Sequence, residues 1–377
     1  MVTMKKTSNE IWVFLSHSHE DYEKVRKVRD MLEDQHMRPL MFFLKCLNDH
    51  DEIDSLIKRE IDCRTRFILC DSENARKSDW VKEEVKYIKD QDRIYETINV
   101  DWPIEKIKSK LSEFKRKATL FLSYSRIDQA LAKYIYNRLS KFDFQVFCDI
   151  ESLTVGDFEE QISSAMNSAS KKGCIIVILN ESIIRENSWT RKEIVCAIRN
   201  DRINNRNSLI PFANSSGIIQ TIGKDENLNS LLNYSIEDIF GKTIEEQCDI
   251  VVNRVLTKLL TPGTILTHAH NFKNGVNCKE DMEEAQKLYT LYFKLADKAT
   301  NKGDSAWRAL GQCYEMGWGT DIDLNKSLEC YKFYRGHKED AERVIRKIQG
   351  IWNENTVKDN TKQSKSLIQR FLELFKK

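Results

Sequence analysis

Residues 174–195 decide the fold: the apolar run Cys174-Ile-Ile-Val-Ile-Leu179 is followed, eight residues later, by Ser188-Trp-Thr-Arg-Lys-Glu-Ile-Val195. The first run predicts a buried β-strand, and the second predicts the start of a helix. Trp189 and Glu193 are then one helical turn apart on the same face. An aromatic ring and a carboxylate therefore lie near the carboxyl end of a strand, where open α/β sheets bind ligands. The apolar face of the helix is expected to contain Ile194, Val195 and Ile198.

The same device occurs earlier in the chain. The run Phe67-Ile-Leu-Cys70 predicts a strand, and Ser78-Asp-Trp80-Val-Lys-Glu-Glu84 follows it as a predicted helix. Trp80 and Glu84 repeat the spacing of Trp189 and Glu193. Two copies of one strand–helix motif predict two copies of one domain.

Short apolar runs alternate with amphipathic segments from residue 11 to residue 260. Alternation of strand and helix with short connections predicts a parallel, doubly wound α/β sheet with helices on both faces. The order restarts at residue 118, so we expect domains at 1–117 and 118–262. The predicted strands are Ile11–Ser16, Leu40–Leu44, Phe67–Cys70, Ile98–Val100, Ala118–Ser123, Phe144–Cys148, Cys174–Leu179 and Leu209–Phe212.

The remaining residues, 263–377, have an all-helical pattern with an internal repeat. Two segments align at a period of 42 residues, which is typical of stacked helix pairs. Phe272, Gly275, Asp281, Ala285 and Tyr289 match Tyr314, Gly317, Asp323, Ser327 and Tyr331. A last apolar stripe is interpreted as a capping helix, with a partner-docking or membrane-surface helix as the alternative; it consists of Leu367, Ile368, Phe371, Leu372 and Phe375.

Composition excludes several classes of function. The 60 basic and 58 acidic residues leave a formal charge of +2, which gives no net attraction to nucleic acid or membrane. The longest apolar runs are far shorter than a membrane span, and the polar start at 1–10 is unlike a signal peptide. The ten cysteines are scattered without a Cys-x-x-Cys pair. They are interpreted as reduced thiols, in part core residues, of a cytoplasmic protein.

Glycine distribution excludes the common nucleotide-binding loops. All thirteen glycines lie at or after Gly156. A glycine-rich phosphate loop is therefore impossible in the first 155 residues, and neither G-x-G-x-x-G nor a Walker A motif occurs later. His268 and His270 lack further ligands at metal spacing and are expected on the repeat surface. No metal site and no bound cofactor are predicted.

Three ordered motifs in the second predicted domain resemble the boxes of Toll/interleukin-1 receptor (TIR) domains. These are Phe121-Leu-Ser-Tyr-Ser-Arg-Ile-Asp128, Val146-Phe-Cys-Asp-Ile-Glu-Ser-Leu-Thr-Val-Gly-Asp157 and Ser188-Trp-x-x-x-Glu193. The first domain is similar in Phe14-Leu-Ser-His-Ser-x-x-Asp21 and Ser78-Asp-Trp-x-x-x-Glu84, but its middle box has no glycine. The segment Ala309-Leu-Gly-x-x-Tyr314-x-x-Gly-x-Gly319 is similar to Sel1-like repeats.

The resemblance implies a flavodoxin-like fold for each TIR unit and, in the enzymatic members, cleavage of NAD+ at the nicotinamide–ribose bond. It implies that Glu193 and Glu84 are catalytic and that Trp189 and Trp80 form the nicotinamide-stacking surface. Ser123, Arg126 and Asp149 are expected near the nucleotide. The loop at Gly156 and Asp157 corresponds to a segment that packs on a neighbouring TIR domain and completes its site. NAD+ is then a substrate and not a cofactor.

The chemistry of the residues is compatible with that reaction. Breaking an N-glycosidic bond builds positive charge on the ribose, which one carboxylate held beneath the sugar can stabilise. The simpler interpretation of Trp-x-x-x-Glu is a packed tryptophan beside a solvated glutamate. Arg126 alone is typical of a surface residue, and the loop histidines His17 and His19 are expected to be solvated.

Two functions remain open at this point. The first is an NAD+ nucleosidase or ADP-ribosyl cyclase in bacterial antiviral defence or signalling, self-associating through its TIR domains and triggered by a protein or ligand at the repeats. The second is a non-catalytic TIR and Sel1-like scaffold. Because only the second domain keeps all three boxes, we expect Glu193 to be the working glutamate.

Overall fold

The computed structural model describes residues 11–41, 50–91, 93–115, 118–148, 158–185, 188–276, 278–300, 304–333 and 338–355. The chain divides into two compact units, residues 1–261 and 262–377. The first unit contains two parallel-sheet α/β domains, and the second is helical. In the described part of the chain, no helix combines the length and the apolar character needed to cross a membrane.

The first α/β domain is a parallel sheet of four strands in the order β2-β1-β3-β4. Side chains of β1 alternate between two cores, because successive residues of a strand point to opposite faces. Val13 and Leu15 pack in the core formed with α1 and α5, whereas Phe14 packs in the core formed with α2 and α4. The elements are β1 (Ile11–Ser16), α1 (Tyr22–Asp34), β2 (Met37–Met41), α2 (His50–Asp62), β3 (Arg66–Asp71), α3 (Glu73–Lys77), α4 (Asp79–Asp90), β4 (Glu96–Asn99) and α5 (Ile104–Lys115).

The second α/β domain repeats this order and adds an edge strand, giving β6-β5-β7-β8-β9, again parallel. All seven residues of β7 are buried, as expected for a central strand covered on both faces. Thr243 and Glu246 form a reciprocal capping box at the start of α10. The elements are β5 (Ala118–Ser123), α6 (Gln129–Leu139), β6 (Phe144–Phe147), α7 (Phe158–Lys172), β7 (Gly173–Leu179), α8 (Trp189–Asn204), β8 (Leu209–Ala213), α9 (Ile218–Gly223), β9 (Glu237–Asp238) and α10 (Ile244–Leu259).

Two predictions for these domains need correction. Strand β2 runs from Met37 to Met41, earlier than predicted, while residues 42–44 lie outside the described part of the chain. Val195 is 38% exposed, because α8 turns Ile194 and Ile198 toward the sheet and Val195 away from it. Sequence patterns also missed the short helices α3 and α9, which are too brief to show a periodicity.

An ion pair joins the two α/β domains. Arg66, the first residue of β3, donates from Nε and Nη2 to Oδ2 of Asp143 at 3.1 and 2.7 Å. Its Nη1 donates to the carbonyl oxygen of Phe114 at 2.8 Å. Both charged side chains are 21% exposed, so the pair is partly shielded from water. Charge-assisted bonds of this kind are stronger than neutral ones.

The helical unit is built from helix pairs that repeat in structure as well as in sequence. Asp281 donates its backbone N–H to the carbonyl of Phe272 at 2.8 Å, and Asp323 donates in the same way to Tyr314 at 2.9 Å. The side chain of Asp281 accepts from the N–H of Glu284, three residues on, and Asp323 does the same in the next repeat. The helices are α11 (Pro262–Asn274), α12 (Met282–Ala299), α13 (Asp304–Met316), α14 (Leu324–Phe333) and α15 (Lys338–Asn355).

Glycine is required at the turn between α13 and α14. Gly317 and Gly319 have φ angles of +70° and +71°, which side chains rarely adopt. A Cβ atom at Gly319 would also lie 2.4 Å from the carbonyl oxygen of Tyr289. His270 is not a surface residue as predicted: its Nδ1 lies 2.8 Å from the Tyr289 hydroxyl, and its ring packs edge-on against Trp318. The predicted C-terminal capping stripe lies outside the described residues.

A buried carboxylate ties three of these helices together. Glu315 on α13 has a fully buried side chain and accepts hydrogen bonds from Tyr331, Arg343 and Lys347 at 2.8–2.9 Å. Although burial alone raises its pKa, these donors together hold the pKa down at about 2. The charge is therefore fully compensated inside the unit.

Candidate active site

A serine at the end of the first strand binds the glutamate of the Trp-x-x-x-Glu segment in the first domain. Ser16 is the last residue of β1, and its hydroxyl donates to Oε2 of Glu84 at 2.5 Å. Helix α4 presents Glu84 at this point because Ser78 caps its first turn, accepting from the N–H of Val81. A strand end and a helix 68 residues apart in sequence are thereby joined.

The second domain contains the same pair. Ser123 is the last residue of β5, and its hydroxyl donates to Oε2 of Glu193 at 2.5 Å. Ser123 is 2% exposed and Glu193 is 9% exposed, so Glu193 is not the solvated side chain that the simpler interpretation assumed. Helix α8 is held here by Thr190, which donates to the carbonyl of Tyr124, and by the ion pair of Arg191 with Asp225.

Both pairs lie where the strand order reverses. In each sheet, the second strand of the chain pairs with one edge of the first strand, and the third strand pairs with the other edge. The glutamate comes from a helix that follows that third strand. Doubly wound sheets bind ligands at this switch point, outside the carboxyl ends of the strands. The position therefore supports a ligand site in each domain.

Sequence reasoning missed two aspartates that fix, by hydrogen bonds, the turns that follow the strand-end serines. Asp21 accepts from the hydroxyl of Ser72 at 2.5 Å and from the amide of Asn74 at 3.0 Å. In the second domain, the oxygens of Asp128 accept from the amides of Asn180 and Asn214. Burial raises the pKa of Asp128. Their shared place in Phe-Leu-Ser-x-Ser-x-x-Asp was visible in the sequence, but their hydrogen-bond partners were not.

Glu84 opens on a cleft of about 380 Å³ between α2 and α4. Ile57 and Ile61 form its apolar side, and Trp80 and Tyr87 form an aromatic side. Burial raises the pKa of Glu84 to about 7, although the hydrogen bond from Ser16 opposes this rise. A carboxyl group poised near neutral pH beside a cleft is typical of functional sites.

The other predicted site residues lie in different settings, and some lie outside the described residues. Trp80 is half-buried against the core that contains Phe14 and Phe67. Arg126 is exposed in the turn after β5, and Trp189 begins α8. Asp149, Gly156 and Asp157 lie outside the described residues, so the assembly loop remains a prediction. Within the described ranges, no group of three or more His, Cys, Asp or Glu side chains is placed to hold a metal ion.

One of the two loop histidines departs from expectation. His19 is exposed, but His17 is half-buried, and burial lowers its pKa. Its Nδ1 lies 3.1 Å from the carbonyl oxygen of Leu15, while its Nε2 is buried and has no hydrogen-bond partner among the described residues. His17 follows Ser16 directly, so a half-buried imidazole is next in sequence to the serine of the serine–glutamate pair.

The comparisons with known proteins bear on both domains. A family model described as the TIR domain matches residues 13–110 and 120–230, together more than half of the chain. Each matched segment contains one complete serine–glutamate pair. No curated protein and no solved structure showed a significant match.

Proposed function

The chain belongs to the TIR domain family, and from that premise we propose that it hydrolyses NAD+ at the nicotinamide–ribose bond. The observation that supports this most is the repeated pair of a strand-end serine and a glutamate at the switch point of each sheet. In the first domain the pair adjoins a cleft with an aromatic wall. TIR domains in general serve signalling or NAD+ cleavage.

The reaction needs only the groups found at such a site. The bond between ribose C1′ and the pyridinium nitrogen breaks, and its electron pair leaves with neutral nicotinamide. A water oxygen adds to C1′ and releases one proton, which gives ADP-ribose; attack by the adenine ring instead gives the cyclic product. An ionised glutamate stabilises the positive charge that develops on the ribose. Its serine partner orients the carboxylate, and an aromatic face favours the cationic ring.

We assign catalysis first to Glu193, because the second domain contains all three motifs. The test measures free nicotinamide from purified full-length protein and NAD+, with and without a crowding agent. Glu193→Gln should lower release by at least about 100-fold, the usual loss when such a group is removed. Glu84→Gln should keep most of the activity. Glu245→Gln and Glu105→Gln change exposed glutamates in the same two domains and serve as controls.

The opposite result would assign catalysis to the first domain, whose glutamate adjoins the cleft. If neither the native protein nor any trigger condition releases nicotinamide, the enzymatic proposal is wrong.

We also propose that activity depends on self-association through the TIR domains, since the loop at 149–157 is the segment that would complete a neighbour's site. A rate strictly proportional to protein concentration in a monomer would contradict this.

A second candidate function is a non-catalytic scaffold of TIR domains and Sel1-like repeats. The observation in its favour is that Glu193 is nearly buried and hydrogen-bonded, as a purely structural carboxylate would be. On either proposal the protein acts in the cytoplasm, in defence or signalling, and the helical repeats receive a protein or ligand trigger. Nicotinamide release separates the two candidates.

A further inference from the structure

A line of hydrogen bonds connects the start of α10 to the turn that follows Ser123 in the second domain. Gln247 on α10 donates from Nε2 to Oδ1 of Asn214 at 2.9 Å. Asn214, the residue after β8, donates from Nδ2 to Oδ1 of Asp128 at 2.7 Å. Gln247 is 7% exposed and Asp128 is 6% exposed, so both ends are shielded from water. Together these three residues form a polar relay.

The α10 end of the relay is anchored by further bonds. The reciprocal capping box of Thr243 and Glu246 fixes the first turn of the helix, directly before Gln247. The Nε2 atom of Gln247 also donates to the carbonyl oxygen of Ile239 at 3.0 Å, and Ile239 follows β9. The amide therefore uses both of its N–H groups on partners within the fold. Rotation of this side chain would break both bonds.

The Asp128 end of the relay is attached to another strand. Asn180, the residue after β7, donates to Oδ2 of Asp128 and to the hydroxyl of Ser125. Within the turn at 124–128, the backbone N–H of Asp128 donates to the carbonyl of Ser125 at 2.8 Å. The turn is therefore closed by its own bond and is tied to the ends of β7 and β8.

The same turn is continuous with the candidate catalytic pair. Ser123 precedes it directly and donates to Glu193 at 2.5 Å. Tyr124, the first residue of the turn, accepts a bond at its carbonyl from Thr190 at 3.2 Å, and Thr190 lies on α8 one turn before Glu193. A shift of the turn therefore moves both the serine and the helix that carries the glutamate. Misplacement of reacting groups by about 1 Å can lower a rate by about 100-fold.

The first domain holds the equivalent aspartate in a different way. Asp21 has the same place in its motif, and its side chain accepts from Ser72 and Asn74, which both follow β3. None of these described bonds comes from β4 or α5. Among the described residues, a connection from this aspartate to the fourth strand and the last helix is thus a feature of the second domain alone.

We propose that Gln247 and Asn214 are positioning residues for the cleavage of NAD+. Through Asp128 they hold the turn that sets the geometry of Ser123 and Glu193, while the bond-breaking chemistry belongs to Glu193. This assignment rests on the proposed function and on Glu193 as the working glutamate.

The first test removes the donor at the α10 end of the relay. Gln247→Leu nearly keeps the size of the side chain and deletes both donated bonds, and Gln220→Leu on α9 is the matched control at an exposed glutamine. Nicotinamide release from NAD+ by the full chain gives kcat and KM. Gln247→Leu should lower kcat by at least about 10-fold and change KM by less than about 3-fold, because geometry at the reacting atoms is lost and binding is not. The control should behave as the native protein does.

The second test swaps the two polar groups at the Asp128 end. Asn214→Asp alone brings a second carboxylate against Asp128 and should lower kcat at least as much as Gln247→Leu. The double variant Asp128→Asn/Asn214→Asp restores one amide and one carboxylate in contact, with donor and acceptor reversed. Asn180 and Gln247 keep an acceptor in it, so most of the lost kcat should return. General damage to the core would instead make the losses of the two substitutions add.

Hydrogen exchange of the amides at 124–128 reports on the turn without any reaction. Gln247→Leu should speed this exchange by at least about 10-fold, whereas the equivalent amides at 17–21 of the first domain should not change. Unchanged exchange would overturn the proposal, as would additive losses in the swapped double variant. Faster exchange with an unchanged kcat would make the relay purely structural and would also overturn it. If the native protein releases no nicotinamide, the proposed function fails, and the exchange rates alone then decide whether Gln247 holds the turn.

Discussion

Replacing Glu84 by glutamine should stabilise the first domain at neutral and alkaline pH. The structure places this carboxyl group against Ser16 and beside the cleft, and burial raises its pKa from 4.5 to about 7. Burial disfavours the charged form, and a neutral amide of the same shape avoids that cost. The variant therefore resembles the protonated native protein at every pH.

The size and the sign of the effect follow from proton linkage. Below pH 4.5 the carboxyl group is protonated in both folded and unfolded chains. As the pH rises from 4.5 to 7, the unfolded chain loses the proton while the folded chain keeps it, so native stability falls. One pKa unit corresponds to about 1.4 kcal/mol, so a pKa raised from 4.5 to about 7 corresponds to about 3 kcal/mol. Glu84→Gln should regain this amount by pH 8 and gain little at pH 4.5.

Hydrogen exchange of the amides in β1 and β3 measures this, because a chain of several domains does not unfold in one step. The free energy of opening is compared for native protein and variant at pH 5 and pH 8. Glu83→Gln, an exposed neighbour on the same helix, should show no pH-dependent difference. If the gain of Glu84→Gln is the same at both pH values, the carboxylate is solvated and the burial argument is wrong.

Three further predictions concern stability. Gly319→Ala should cost more than about 2 kcal/mol in the helical unit, because the strain of positive φ and a backbone clash add. Gly217→Ala, also at positive φ but with open space around it, should cost about 1 kcal/mol; hydrogen exchange of the amides around each glycine checks the contrast, and equal losses would contradict it. Glu315→Gln should destabilise the helical unit by about 1.5–3 kcal/mol, because a neutral amide weakens the charge-assisted hydrogen bonds from Arg343 and Lys347, whose side chains are 40% and 41% exposed. Hydrogen exchange of the amides in α13 measures this loss, and a loss below about 1 kcal/mol would contradict the role of the network. Arg66→Ala and Asp143→Ala should be non-additive in the free energy of opening, with a coupling energy of about 1–2 kcal/mol in a double-mutant cycle followed by hydrogen exchange. Additive losses would show that the ion pair does not join the domains.

The fold was largely predictable because its signals are local. Strand β7 is an unbroken apolar run, and α4 and α8 each begin after a serine at the N-cap position, with their buried residues at helical spacing. The misplaced start of β2 has a physical reason: Met37 is buried, but Arg38 and Pro39 interrupt the apolar pattern before Leu40. Such a strand is recognised only through its pairing with β1.

The candidate site was predictable in its residue types but not in its contacts. Trp80, Glu84 and Glu193 stood out by spacing, and Ser123 by its motif. Their burial did not, because Ser16 meets Glu84 and Ser123 meets Glu193 across 68 and 70 residues of chain. Several apolar residues of α8 were candidates for the face that packs on the sheet, and the prediction wrongly included Val195 among them.

The sequence by itself determined the alternation of strands and helices, the two α/β copies, the helical repeat and the two Trp-x-x-x-Glu segments, because each depends on residues close together in the chain. Only the tertiary structure decided which carboxyl groups lose their water, which serine holds each of them, and which residues border the cleft. Those properties arise when distant segments pack together, since the electrostatic environment of a side chain depends on every neighbour in space and not on its neighbours in sequence.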